Sequence, residues 1–407
     1  MKCHGIFGPG GVVPHEAREG GVGFSIGPHH QALPEIFTLW SLFVVSQAPV
    51  GIVLMWSRYL PSASTMLPSV DVLAALLCFL LGLLLIIKRQ NRKPRVTEIC
   101  TYVIKSCAET NSSSARVTAR GFEGDRMFQA TSEGFVCTPR DADKTRLFHV
   151  RPRLHDDGSL TLEARGVEPL KIDLRSAPTK PRSCGINSET DQRVFSVQHS
   201  RRAQFAEKHQ LDDFGDAAAE WLFRATGIAG VRLTAAPPSF ARTTVLNPAQ
   251  QEPFPTAKPV PVSLADEAPF LLTAVESLAD LNERMRTRGK APVPMRRFRP
   301  NLVISGLRPY EEDSIAQLRI GGLLFHAWQR CGRCRMTTID RESLAAGPEP
   351  LATLATYRER ANGQRNFGIH LIPLEPIPHG ARISVGATVE IVAYDEARRE
   401  EWLRLFG

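Results

Sequence analysis

The sequence lacks a dinucleotide fingerprint: no G-x-G-x-x-G follows a strand-like run and opens a helix, so no nicotinamide or flavin site is encoded. A disulfide framework is missing as well. The eight cysteines, at positions 3, 78, 100, 107, 137, 184, 331 and 334, follow no regular spacing, and Cys78 lies inside an apolar run. That pattern favours reduced thiols in a cytosol-like compartment. Net positive charge is small outside one place. The formal net charge is +8, and Lys88, Arg89, Arg92, Lys93 and Arg95 supply five of those charges. The rest gives no broad basic face, which excludes nucleic acid as a partner. Nor does an Arg-rich amphipathic leader open the chain. Residues 1–35 are rich in Gly, His and Pro without periodicity, which predicts a disordered segment and no cleaved address.

Two apolar runs stand next. Ile36–Trp56 is broken by Ser46, Gln47 and Pro49, which leaves its insertion open. Val72–Ile87 is uninterrupted, somewhat short of the roughly 20 residues that span a bilayer, but helix running into Lys88 and Arg89 makes up the length. A buried core helix is the alternative. The absence of any polar stripe and the basic flank favour a membrane helix over 72–87 within an anchor region 36–95, with the C-terminal part facing the cytosol.

From Val96 onward the pattern is β-rich. Val96–Ile104 alternates as a strand, Phe135–Arg140 and Leu147–Val150 read as further strands, and Asp156-Asp157-Gly158 is a hairpin turn before Leu160–Leu162 and Leu170–Leu174. Residues 175–212 read mostly as loop. A helix is predicted through Ala217–Thr226, another over Ala268–Arg286, and a short one near Leu351–Arg358. Closing strands are predicted at Phe367–Ile372 and Ala381–Val392. The domain boundaries expected are 96–235 and 236–407.

The densest motif is Phe298-Arg299-Pro300-Asn301 leading into Leu302-Val303-Ile304-Ser305, then Glu312-Asp313-Ser314, Ile320-Gly321-Gly322, Arg333-Cys334 and Thr337-Thr338-Ile339-Asp340. A thiol is a soft metal ligand and arginine gives bidentate recognition of phosphate. This string resembles the C-terminal half of the MOSC domain, the fold that binds molybdenum cofactor, and within it the amidoxime-reducing components. The resemblance runs from about Val96 to Val392. It implies a mixed α/β, β-rich fold: a MOSC β-barrel core with an N-terminal β-barrel-like MOSC-associated domain, preceded by a membrane anchor.

The resemblance further implies that Cys334 ligates molybdenum and that Lys105, Ser106 and Arg126 contact the molybdenum cofactor. Arg299 is expected to anchor its phosphate or pterin, with Pro300 restricting Arg299 to an extended conformation, and Asn301 to supply amide hydrogen bonds. Thr138 and Arg140 are secondary candidates that fit a barrel rim equally well. Cys331 and Cys334 form a C-x-x-C, but no second Cys or His pair completes a zinc site, and the strand-to-helix setting of a redox pair is absent. One departure stands out. Where the family has small hydroxyl residues before a Pro-Phe, this chain has Glu267-Ala268 before Pro269-Phe270, which offers no hydroxyl donor and places a carboxylate near the phosphate.

The activity so implied is reduction of N-hydroxylated substrates, amidoximes and hydroxylamines, with electrons from cytochrome b5 and cytochrome b5 reductase, at the mitochondrial outer membrane. The alternative is a non-catalytic carrier of molybdenum cofactor. MOSC domains also end molybdenum cofactor sulfurases, which carry a separate pyridoxal phosphate domain. No room for that domain is expected before Val96, which disfavours a sulfurase.

Overall fold

A computed structural model of the chain describes residues 77, 79–80, 93–177, 179–186, 208–244, 260–360 and 363–407. The chain falls into two units, Met1–Leu77 and Cys78–Gly407, and almost all described residues belong to the second. The expected disordered segment 1–35 and the run Ile36–Trp56 lie outside the described residues. So does the expected anchor helix 72–87, except for Leu77, Phe79 and Leu80, which are helical with exposed side chains. Among the described residues no helix is long and apolar enough to cross a membrane.

The central element is an eight-stranded sheet. Its order is Val389–Tyr394, Ile315–Ile320, Leu323–Gly332, Asn366–Pro373, Phe270–Ala274, Leu302–Ser305, Arg95–Thr101 and Thr110–Asn111. The expected barrel is not closed by a regular ladder. Among the described residues, Val389–Tyr394 at one end of the path reaches Arg95–Thr101, the next-to-last strand at the other, through an isolated bridge between Arg95 and Thr388 and a few backbone bonds, such as Val389 N to the Pro94 carbonyl at 2.7 Å. Phe270 stands at the centre of its core, edge-on to Phe122 and Phe325 at centroid distances of 5.1 and 5.5 Å. Truncating such a fully buried ring costs about 3–5 kcal/mol. Gly368 is required where its strand crosses Phe270–Ala274, because an added Cβ would lie 2.7 Å from the Leu272 carbonyl oxygen.

The predicted helix over 268–286 is two elements. Phe270–Ala274 is a strand with every residue buried, paired parallel to Leu302–Ser305 and antiparallel to Asn366–Pro373. A short continuous apolar run suits a strand covered on both faces. Helix periodicity takes over only at Val275–Thr287 (α2), and α2 lies in the crossover that a parallel pair requires.

The second layer is a six-stranded sheet in which Lys180–Gly185, Lys208–Asp213, Arg232–Ala235, Phe128–Ser132 and Ile104–Lys105 follow in order, with Phe135–Val136 paired to Phe128–Ser132. The reading of 175–212 as loop is thus corrected. Lys180–Gly185 and Lys208–Asp213 form an antiparallel pair, and Lys180, Arg182 and Lys208 sit on exposed positions around buried Cys184 and Leu211. Leu147–Val150 is corrected too, since Ala142–His149 is a 3₁₀ helix that buries Leu147 and Phe148. Helix α1, Gly215–Thr226, ends at Gly227 with φ 76° and packs Ala218, Trp221 and Leu222 onto this core. The strand Arg95–Thr101 joins the sheet built from residues 270–394, while Ile104–Lys105 joins the other sheet, three residues later. The residues around 102–107 therefore bridge the two sheets.

Candidate functional site

Tyr102 is the hub. Its backbone N–H donates to Asp125 Oδ1 at 2.7 Å, and its hydroxyl donates to the Pro300 carbonyl at 3.2 Å. The guanidinium groups of Arg126 and Arg299 lie over its ring, 4.7 and 4.1 Å from the centroid. Both arginines have left-handed backbones, φ 49° and 55°, and Ser106 has φ 74°. Such conformations cost about 1–3 kcal/mol each outside glycine and gather at ligand sites. The expected extended Arg299 is corrected: Pro300 disfavours the right-handed region, but Arg299 takes the left-handed one as it ends the 3₁₀ turn Met295–Phe298.

Each predicted residue is placed as follows. Arg299 is buried and its Nη1 donates to the Cys107 carbonyl at 2.7 Å. No carboxylate lies within ion-pair distance of it among the described residues. Burial, with Arg341 and Arg126 adding to it, pushes its pKa down to about 10. Arg126 pairs with Asp125 at 2.5 Å, and burial that would weaken its charge is outweighed by that carboxylate. Asn301 is fully buried, with Oδ1 accepting from Leu271 N–H and Arg126 and Nδ2 donating to the Cys100 carbonyl. Its amide holds strand and arginine together. Lys105 Nζ donates to the Ile186 carbonyl at 2.8 Å and pairs with Asp266 at 2.5 Å. Burial lowers its pKa against the pull of Asp266. Arg140 pairs with the same Asp266 at 3.3 Å, and Thr138 is buried beneath, its hydroxyl accepting from Arg140 N–H.

Asp266 was not singled out by the sequence. Burial pushes its carboxyl up, but Lys105 and Arg140 more than offset that and hold it below the usual carboxylate range. Arg242 fixes its loop by donating to the carbonyls of Ser263, Ala265 and Asp266. Glu267, the departing carboxylate, accepts from Gln329 Nε2 at 2.7 Å and lies 3.2 Å from His370 Nε2. Its charge is thus matched by protein groups. Neither Tyr102 nor Arg341 carries a local pattern that would have marked it.

Cys334 follows the strand Leu323–Gly332 and opens the 3₁₀ turn Arg335–Thr338, where its carbonyl accepts from the Thr337 N–H and hydroxyl. Six cysteines are described, all unpaired; five are buried and Cys334 is exposed. Arg333 ties this loop to the arginine cluster, with Nη2 donating to the Phe298 carbonyl at 2.6 Å, one residue before Arg299. Arg297 adds bonds to the Thr337 carbonyl and Asp340. Lys105, Arg126, Arg299 and Asn301 are brought together from distant positions, and the Cys334 loop is joined to them through backbone contacts. Beside this cluster Arg341 Nη2 and Arg333 Nε are buried with no hydrogen-bond acceptor among the described residues, as Arg330 Nε and Arg365 Nε are elsewhere. A surplus of buried cation beside an exposed thiol fits a polyanionic group bearing a soft metal.

Comparison with known proteins gives the family. Residues 259–390 match the MOSC domain and residues 93–227 the MOSC N-terminal beta barrel domain. The chain is 31% identical to mitochondrial amidoxime reducing component 2 of Bos taurus over 278 residues, 67% of this chain and 74% of that one. It is 30% identical to mitochondrial amidoxime-reducing component 1 of Homo sapiens over 284 residues, again 67% and 74%. A molybdenum cofactor sulfurase of Oryza sativa subsp. japonica is 43% identical over 126 residues, but these are 29% of this chain and only 15% of the sulfurase. Two domain matches in the order MOSC N-terminal then MOSC, and a shared span of that length, place the chain in the MOSC-domain family of the mitochondrial amidoxime-reducing components.

Proposed function

We propose that this protein is a molybdenum cofactor-dependent reductase of N-hydroxylated compounds such as amidoximes and hydroxylamines. The observation that carries the reading is Arg299, a buried cation on Tyr102 with no carboxylate partner among the described residues, in a cluster joined to the loop of the exposed Cys334. A buried charge is stable only when paired, so this one calls for an anion. Cys334 would supply the thiolate ligand. Arg299, Arg126, Lys105 and Ser106 would hold the phosphate and pterin, with Arg140 and Thr138 supporting through Asp266. When bound, the cofactor supplies two-electron redox chemistry at the metal. The protein's own groups orient it and fix its charge.

The chain has no nicotinamide or flavin fingerprint, so electrons are taken to come from a separate cytochrome b5-type donor and its reductase. Residues 72–87 would anchor the chain in the mitochondrial outer membrane with the catalytic part in the cytosol. The test is reduction of benzamidoxime by the cofactor-loaded chain with an artificial donor. Cys334→Ser is expected to lose both molybdenum and turnover, and equal turnover in that variant would remove the ligand. Loaded parent protein that retains cofactor but never turns over would instead make it a carrier.

A further inference from the structure

Arg341 directly follows the Thr337-Thr338-Ile339-Asp340 motif, and its side chain is buried. Its backbone is fixed on both sides. His149 Nε2 donates to its carbonyl at 2.9 Å, and the preceding Asp340 accepts from Arg297 Nη2 at 2.7 Å and from the Glu342 and Ser343 N–H groups. The guanidinium lies 4.9 Å from the Phe148 ring centroid, and Nη1 donates to Glu109 Oε2 at 2.6 Å. Nη2 is buried and has no acceptor among the described residues.

The turn that Arg341 reaches is the one that Arg299 holds. Arg299 Nη1 donates to the Cys107 carbonyl at 2.7 Å, two residues before Glu109, and Ser106, with its φ of 74°, stands just before Cys107. Two buried guanidinium groups from different loops thus converge on residues 106–109. Burial does most to hold the Arg299 pKa down and the charge of Arg341 comes next, so each cation feels the other. Other orphaned guanidinium nitrogens stand differently. Arg330 Nε lies 3.5 Å from an Asp313 oxygen, and the Arg365 side chain is 36% exposed, where water can serve it. Around Tyr102, the cations Arg126, Arg299 and Arg341 have two carboxylates at ion-pair distance, Asp125 and Glu109, which leaves one positive charge over.

We propose that Arg341 is a phosphate-binding residue, whose Nη2 donates to a phosphomonoester shared with Arg299 while Nη1 stays on Glu109. That the molybdenum cofactor bears this phosphate rests on the reductase reading. A phosphomonoester carries close to two negative charges at neutral pH and three acceptor oxygens, so it takes both the surplus charge and the orphaned donor. A guanidinium held by a carboxylate on one edge presents its other edge already aimed. Arg341 also supplies what the loop at Glu267-Ala268 lacks. There Lys105 and Arg140 are both engaged by Asp266, so the surplus cation lies at the Arg299 end of the cluster.

The test is calorimetric titration of the full-length, cofactor-free chain with inorganic phosphate. The parent is expected to bind it, and Arg341→Gln to raise the dissociation constant about tenfold or more, the equivalent of one charge-assisted contact. Arg341→Lys, which keeps a charge for Glu109 but loses the fork, should raise it about threefold. A merely structural arginine would act only through Glu109, so Glu109→Gln is the decisive contrast. It should bind phosphate as tightly as the parent or more tightly, because a carboxylate is removed. Should Arg341→Gln unfold the chain by stranding Glu109, the double variant Glu109→Gln/Arg341→Gln removes both charges and should show the same weakened binding. Equal affinity in the parent and the folded Arg341→Gln variant overturns the proposal. So does a parent that binds no phosphate, or a Glu109→Gln variant weakened as much as Arg341→Gln. A second arm identifies the bearer: pterin fluorescence of chains purified from cells that make the cofactor should fall about tenfold in Arg341→Gln. Full pterin retention in that variant overturns the assignment to the cofactor and leaves free phosphate as the ligand. The reductase reading fails separately. A parent that binds phosphate through Arg341 but never reduces an N-hydroxy compound loses that reading and keeps the phosphate site, whereas turnover without phosphate binding does the reverse.

Discussion

Two buried clusters of arginine and carboxylate lie in this fold, and they are balanced differently. Behind the large sheet, Asp313 is shared by Arg358 and Arg330, Arg330 also reaches Glu401 at 2.8 Å, and Arg358 donates to the Asn366 carbonyl. Every cation there has a carboxylate. Around Tyr102, Arg126 has Asp125 and Arg341 has Glu109, but Arg299 has only a carbonyl and an aromatic face. Matched charge signifies structure. Unmatched buried charge is costly to the free protein and is explained by something that binds.

The largest effect should come from breaking the balanced cluster. Asp313→Ala strands Arg358 in the interior and leaves Arg330 with Glu401 alone, and should cost about 3–5 kcal/mol, read as a fall in the urea midpoint. Arg299→Met should do the opposite. Apo stability should change by less than about 2 kcal/mol, because the loss of a hydrogen bond is offset by relief of an unpaired charge. Cofactor retention, read by pterin fluorescence, should fall about 10- to 100-fold, the equivalent of losing a charge-assisted contact. If Arg299→Met destabilises as much as Asp313→Ala, the two clusters are alike and the binding argument fails.

A smaller effect concerns pH. Glu312, beside Asp313, shares the one Ser277 hydroxyl proton between its two carboxylate oxygens, and burial followed by the charge of Asp313 raises its pKa well above the usual carboxylate range. A raised acid favours folding below its unfolded pKa of about 4.3, and that contribution is lost as pH climbs toward the folded value. Between these limits the folded state binds more protons, so stability falls with rising pH, by at most about 1.4 kcal/mol per unit. Glu312→Gln should flatten that slope in denaturant titrations, and an unchanged slope would place the ionisation elsewhere. The smallest effect belongs to the exposed pair Arg296–Glu342, 2.5 Å apart. Glu342→Gln should change stability by no more than about 0.5 kcal/mol by the same titration.

Elements with one dominant pattern were legible in the sequence. The hairpin at Asp156–Gly158 declared itself through its turn residues, and α1 through its 3.6 period and terminal Gly227. Phe270–Ala274 did not, because a run of buried residues with Thr273 as its one polar member fits a buried strand and a buried helix equally, and only its pairing on both edges decides. Lys180–Gly185 and Lys208–Asp213 were hidden because half their residues face solvent, Lys180, Arg182 and Lys208 among them.

By itself the sequence determined which chemistry is present: Arg333-Cys334 and Phe298-Arg299-Pro300-Asn301 name a thiol, guanidinium groups and the family they resemble, because those residues must be contiguous to build their turns. It also marked Glu267 as a departure. Only the tertiary structure decided what each group is paired with. That Asn301 is spent on Leu271 and Cys100, that Asp266 serves Lys105 and Arg140, and that Glu267 faces His370 all depend on contacts between segments dozens to hundreds of residues apart. The energy of a buried charge is set by its neighbours in space, and chain order does not record them.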